Sequence, residues 1–103
     1  MQKIDKIRLK GKPLRELNEL IYERDYRHCC ICETYIEEGT KFHHEPTKGQ
    51  GGQDVINGGL MLCGRCHGER HFGSETQDYR ERCEEYLRRL YGGDTILPEV
   101  AIW

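Results

Sequence analysis

Large apolar side chains are scarce in this sequence. It has two Phe and one Trp, and its hydrophobic fraction of 36% barely exceeds its charged fraction of 33%. So little apolar matter in 103 residues excludes a large self-sufficient core, and chains of this kind ordinarily need a disulfide or metal staple. No stretch approaches the roughly 18 apolar residues of a membrane-spanning helix. The opening MQKIDKIRLKGKP holds no apolar run that could form the centre of a secretory signal. The expectation is therefore one domain over residues 1–103, off the membrane, in a reducing cytoplasm.

An excess of one charge sign is lacking too. The net charge is −2, which argues against a protein that coats nucleic acid through charge alone. The distribution is uneven: residues 1–27 carry +3, with Lys3, Lys6, Arg8, Lys10 and Lys12 clustered, while residues 28–75 carry −3 and 76–103 carry −2. A basic arm on an acidic body could touch phosphates, and a solvated lysine run explains it equally well.

What the sequence does have is cysteine, six in all. In a reducing compartment, paired cysteines read as metal ligands rather than disulfides. Cys29-x-x-Cys32 and Cys63-x-x-Cys66 can each place two thiolates on one tetrahedral ion, so together they predict a structural four-cysteine Zn²⁺ site. Cys83 falls on an apolar helix stripe and Cys30 between two ligands, and both are expected as plain thiols. CGRCH also spells the CxxCH of c-type haem attachment, but that chemistry needs export and leaves Cys29 and Cys32 without a task. A thioredoxin-like reading of CCIC needs a βαβ frame that the pattern lacks.

The spacing predicts a helix over 14–25 behind Pro13, with Leu14, Leu17, Leu20 and Ile21 on its apolar side. Residues 26–44 read as a β-hairpin turning near Glu38-Gly39, and 49–59, GQGGQDVINGG, as a loop. CHGERHF is a short helix that the cysteines would have to fix at its start. Residues 75–91 form the clearest helix, with Tyr79, Cys83, Tyr86, Leu87 and Leu90 on one stripe and Gly92-Gly93 ending it. The apolar tail over 95–103 is expected to pack on the body or on a partner, which leaves a monomer or a homodimer open.

Thirty residues separate Cys32 from Cys63, against about 15–20 in a plain zinc ribbon. That interval holds His43, His44 and Asn57, which a structural zinc does not need. His43 and His44 end a predicted strand, where neighbouring side chains point to opposite faces, so one can bind a metal while the other faces a substrate. His67 and His71 stand one helical turn apart, roughly 6 Å, within reach of one ion. His28 has no partner in this pattern.

Together CCIC, FHHEP, GGQDVINGGLMLCGRCH and GERHF resemble the HNH endonuclease family. The likeness covers residues 20–73, about half the chain. It implies an α+β fold with a ββα-metal, treble-clef-like core stapled by zinc and flanked by N- and C-terminal helices. It further implies a nuclease that hydrolyses DNA phosphodiesters to 5′-phosphate and 3′-hydroxyl ends, nicking one strand per visit. In that likeness His44 is the general base and Asn57 the central Asn that steadies loop and base. His43, His67 and His71 ligate one catalytic divalent ion. Imidazole suits transition metals, so Mn²⁺ is favoured, with Ni²⁺, Co²⁺ or Mg²⁺ as the other choices. Lys48, Arg65 and Arg70 are the candidate phosphate contacts. YERDYRHCCIC resembles the family's helix-to-knuckle approach without its usual Gly after RD, and GGLMLC makes the step from Asn57 to the cysteine a residue longer than is commonest. A non-catalytic treble-clef zinc module that binds nucleic acid or a protein would also use the cysteines and the basic arm, leaving His43 and His44 without a task.

Overall fold

The computed structural model describes residues 7–92. Lys3 and Lys6 of the basic arm, Gly93 and the tail over 95–103 lie outside them. Among the described residues the fold is α+β, with three helices and one antiparallel pair of short strands. The order is α1 (Gly11–Arg24), β1 (His43–His44), β2 (Gly59–Leu60), α2 (Gly64–Phe72) and α3 (Thr76–Tyr91). None of the helices is long and apolar enough to cross a membrane.

Helix α1 begins three residues before the predicted start, which puts Pro13 in its first turn, where the missing N–H costs nothing. It buries Leu17, Ile21 and Tyr22, whereas Leu20 is 57% exposed. The apolar stripe thus bends toward Tyr22, whose hydroxyl donates to the Ile36 carbonyl at 2.7 Å. Helix α3 buries Cys83 and Leu87 of its stripe, while Leu90 is 45% exposed and Gly92, at φ 69°, caps the end. Leu60, Met61, Leu62 and Cys66 complete the core between α1 and α3.

The predicted hairpin is corrected. Gly39 does turn the chain, with φ 93°, but the segments around it do not pair along their length. Residues 26–36 form a compact knuckle with one isolated bridge, His28 to Tyr35. His43–His44 instead pairs with Gly59–Leu60, in the register His43 opposite Leu60 and His44 opposite Gly59. Gly59 is required there: a Cβ would lie 2.3 Å from the Phe42 ring. The glycine-rich loop between the strands contains two single-turn 3₁₀ segments, Lys48–Gln50 and Ile56–Gly58.

Helix α1 holds both strands. Asn18 donates to the Thr40 carbonyl at 2.8 Å and accepts from the Phe42 amide at 2.9 Å, gripping the approach to β1. Arg24 donates to the Ile56 and Gly59 carbonyls at 2.6 and 2.7 Å, and Asp25 accepts from the Met61 amide at 2.9 Å. The Tyr86 hydroxyl on α3 closes this network on Asp25. Backbone polar groups that a fuller sheet would pair are thus satisfied by side chains. The chain then leaves α1 through Tyr26 and Arg27, both left-handed at φ 56° and 62°.

Candidate metal centres and the histidine cleft

The first centre is built from two knuckles. After Cys29 the chain folds back through Glu33 at φ 65°, so that Glu33 donates to the Cys29 carbonyl and Cys29 to the Thr34 carbonyl. The second knuckle starts α2: Cys63 caps the helix, and its sulfur accepts from the Cys66 amide at 3.5 Å. The Cys30 amide donates to the Met61 carbonyl at 3.0 Å, fastening one knuckle to the other. The four sulfurs of Cys29, Cys32, Cys63 and Cys66 lie within 4.8 Å of one another, close enough to hold one metal ion. Four thiolates are the donor set of structural zinc. Thr34, whose hydroxyl lies 3.1 Å from the Cys32 sulfur, pulls that thiol down to about 6. Arg65 is exposed beside the same sulfur, where its cation favours thiolate.

The other two cysteines stay outside this group. Cys83 is fully buried on α3, where burial raises its thiol to about 12. Burial likewise raises Cys30 far above the usual thiol range.

The second centre joins β1 to α2. His43, His67 and His71 place one ring nitrogen each within 4.8 Å of one another. Their ring centroids are 4.6–5.2 Å apart, and the planes stand edge to face. Burial, followed by repulsion from its neighbouring histidines, lowers the His67 pKa, and burial and His43 do the same for His71. Both therefore favour the neutral form that ligates a metal. Three imidazoles fit a first-row transition ion better than Mg²⁺.

His44, the next residue on β1, takes a different partner. Its Nε2 lies 2.6 Å from Asp54 Oδ1. Asp54 is itself fixed by the Leu9 amide, which donates to Oδ2 at 2.7 Å. The Ile7 amide donates to Gln53 Oε1 at 2.9 Å, and the Asp54 amide donates to the Ile7 carbonyl at 3.0 Å. The segment before α1 thus braces the loop that carries Asp54. Burial lowers the His44 pKa below 6.5 even though Asp54 pulls it up. The neutral ring has Nε2–H directed at Asp54, which leaves Nδ1 as a free acceptor. His43, His44, His67 and His71 all line one cleft of about 740 Å³, with Arg15, Lys41 and Lys48 on its walls.

The remaining predicted residues divide. Asn57 is buried, 1% exposed, in the 3₁₀ turn immediately before β2. Lys48 is exposed at the cleft. Arg70 is corrected: it is 4% exposed and doubly bonded to Glu45, Nε to Oε2 at 2.8 Å and Nη2 to Oε1 at 2.9 Å. An arginine spent on a buried carboxylate is not a surface phosphate contact. His28 lies against the Tyr26 carbonyl and the Tyr35 ring, away from both centres.

Sequence reasoning did not place Asn18, Arg24 and Asp25 in support of the site, or Arg15 and Lys41 on the cleft. Only the Arg24-Asp25 pair, next to the first knuckle in the RD motif, gave any signal. Comparison with protein-family models, curated proteins and solved structures finds no match for this chain.

Proposed function

We propose that this chain is a metal-dependent endonuclease of the HNH type, with a ββα-metal core formed by β1, β2 and α2 and stapled by zinc. Its substrate in this reading is the phosphodiester backbone of DNA. The observation that carries the reading is the placement of a histidine–carboxylate pair, His44 and Asp54, in the same cleft as three clustered imidazoles. A zinc module that only binds would need neither.

The chemistry follows from the groups present. Asp54 orients His44, and the free Nδ1 accepts a proton from water. The water oxygen bonds to phosphorus opposite the 3′ oxygen, and the P–O3′ bond breaks. The departing oxygen takes a proton from solvent water and His44 returns its own to solvent, giving 5′-phosphate and 3′-hydroxyl ends. His43, His67 and His71 would hold a divalent ion, which would supply positive charge against the charge that develops on the phosphate. Lys48, Lys41 and Arg15 offer charge to the flanking phosphates. One such site cuts one strand, so nicking is the expected activity of a monomer.

The test is incubation of the zinc-loaded protein with supercoiled plasmid and a panel of divalent ions. Nicking that requires added metal and is lost in His44→Ala supports the reading. A folded protein that binds DNA or a protein partner and never nicks would leave the non-catalytic zinc module in its place.

A further inference from the structure

Glu45 is among the most deeply buried residues of the chain, at 1% exposure, and buried carboxylates occur almost only when paired. Arg70 pairs with both of its oxygens. Oε2 has a second neighbour, His43 Nε2, at 3.3 Å.

The connectivity of this pair matters more than its strength. Glu45 follows His43 by two residues, and Arg70 stands on α2 between His67 and His71. The ion pair therefore joins the segment that carries one imidazole to the helix that carries the other two. A purely structural bridge could sit anywhere along β1 and α2, yet this one also touches the ring whose orientation the triad depends on. A carboxylate that accepts from one nitrogen of a ligand histidine fixes its tautomer and raises its basicity.

We infer that Glu45, anchored by Arg70, is the positioning residue of the histidine triad: it accepts from His43 Nε2, leaving Nδ1 to face a transition-metal ion. This rests on the reading above that the triad holds an ion. Cys83, whose sulfur lies within 4.8 Å of ligand atoms of His43 and Glu45, is then a packed thiol and not a ligand.

The experiment is calorimetric titration of Mn²⁺ into zinc-loaded protein, with zinc content and circular dichroism recorded for each variant. Glu45→Gln should keep the zinc and the fold but weaken Mn²⁺ binding by about 10–100-fold, with nicking restored at saturating Mn²⁺. Where that variant does not fold, the neutral pair Glu45→Gln with Arg70→Met removes the stranded charge and should show the same loss. Cys83→Ala should bind Mn²⁺ as the parent does. Unchanged Mn²⁺ affinity in a folded Glu45→Gln protein overturns the inference. So does a loss in Cys83→Ala as large as in Glu45→Gln, because the ion would then sit among His43, Glu45 and Cys83 themselves. A parent protein that binds no Mn²⁺ beyond its zinc overturns the triad reading instead, so the two failures are distinct.

Discussion

His44 and Asp54 meet at 2.6 Å, Nε2 to Oδ1, although nine residues of glycine-rich chain separate them. The carboxylate is nearly buried, with 3% of its side chain exposed against 15% for the imidazole. The pair therefore presents one free nitrogen, on His44, to the cleft. His44→Ala should lower plasmid nicking by roughly 10²–10⁴, the range of a positioned general base, while zinc content and Mn²⁺ binding stay at parental values. Asp54→Asn should fall between the two rates. Nicking at the parental rate in His44→Ala would remove the proposed mechanism.

The pH dependence follows from burial of the same ring. With its pKa held below 6.5, His44 is already neutral at pH 7, so the nicking rate should be flat above neutrality. It should decline only as pH falls through the lowered pKa and the base becomes protonated. Because Asp54 pulls that pKa upward, Asp54→Asn should move the decline to lower pH while reducing the plateau. Initial rates measured across a buffer series at saturating Mn²⁺ check the sign.

The triad predicts a metal order. Nicking with Mn²⁺, Co²⁺ or Ni²⁺ should exceed that with Mg²⁺ at equal concentration. His43→Ala and His67→Ala should need more Mn²⁺ than the parent and be partly rescued by excess. If Mg²⁺ clearly outperforms Mn²⁺, three imidazoles are not the ligand set.

The four-cysteine site should behave as part of the fold, since binding energy of a structural ion is folding energy. Cys66→Ala, or prolonged chelation of the parent, should give loss of helical circular dichroism together with loss of zinc. A well-folded Cys66→Ala protein without zinc would show that the knuckles do not need an ion.

Backbone strain makes a separate prediction about stability. Tyr26, at φ 56°, bears a left-handed cost of about 1–2 kcal/mol that glycine avoids. Glycine's extra freedom in the unfolded chain returns about 0.5–1 kcal/mol of this. Tyr26→Gly should therefore raise stability by about 0.5–1 kcal/mol in urea denaturation. Gly59→Ala should cost about 1–3 kcal/mol, because the new methyl meets the Phe42 ring in a packed core.

Features with a local cause were legible in the residues themselves. CxxC spacing brings two thiols together through one tight turn, and a helix pattern needs only its own repeat, so both knuckles and α3 lie where the sequence put them. HxxxH sets two imidazoles on one helix face for the same reason. The third imidazole and the partners of both β1 histidines depend on contacts between distant segments. His43 reaches His67 and His71 only because β1 pairs with Gly59–Leu60 rather than folding back on residues 26–36. Two-residue strands carry too little alternation to announce their partner, and here side chains of α1, not a turn, set the pairing. Arg70 shows the same limit: its charge is plain in the sequence, but only the tertiary structure brings it to Glu45, because burial of a carboxylate demands a counter-charge wherever the fold can supply one.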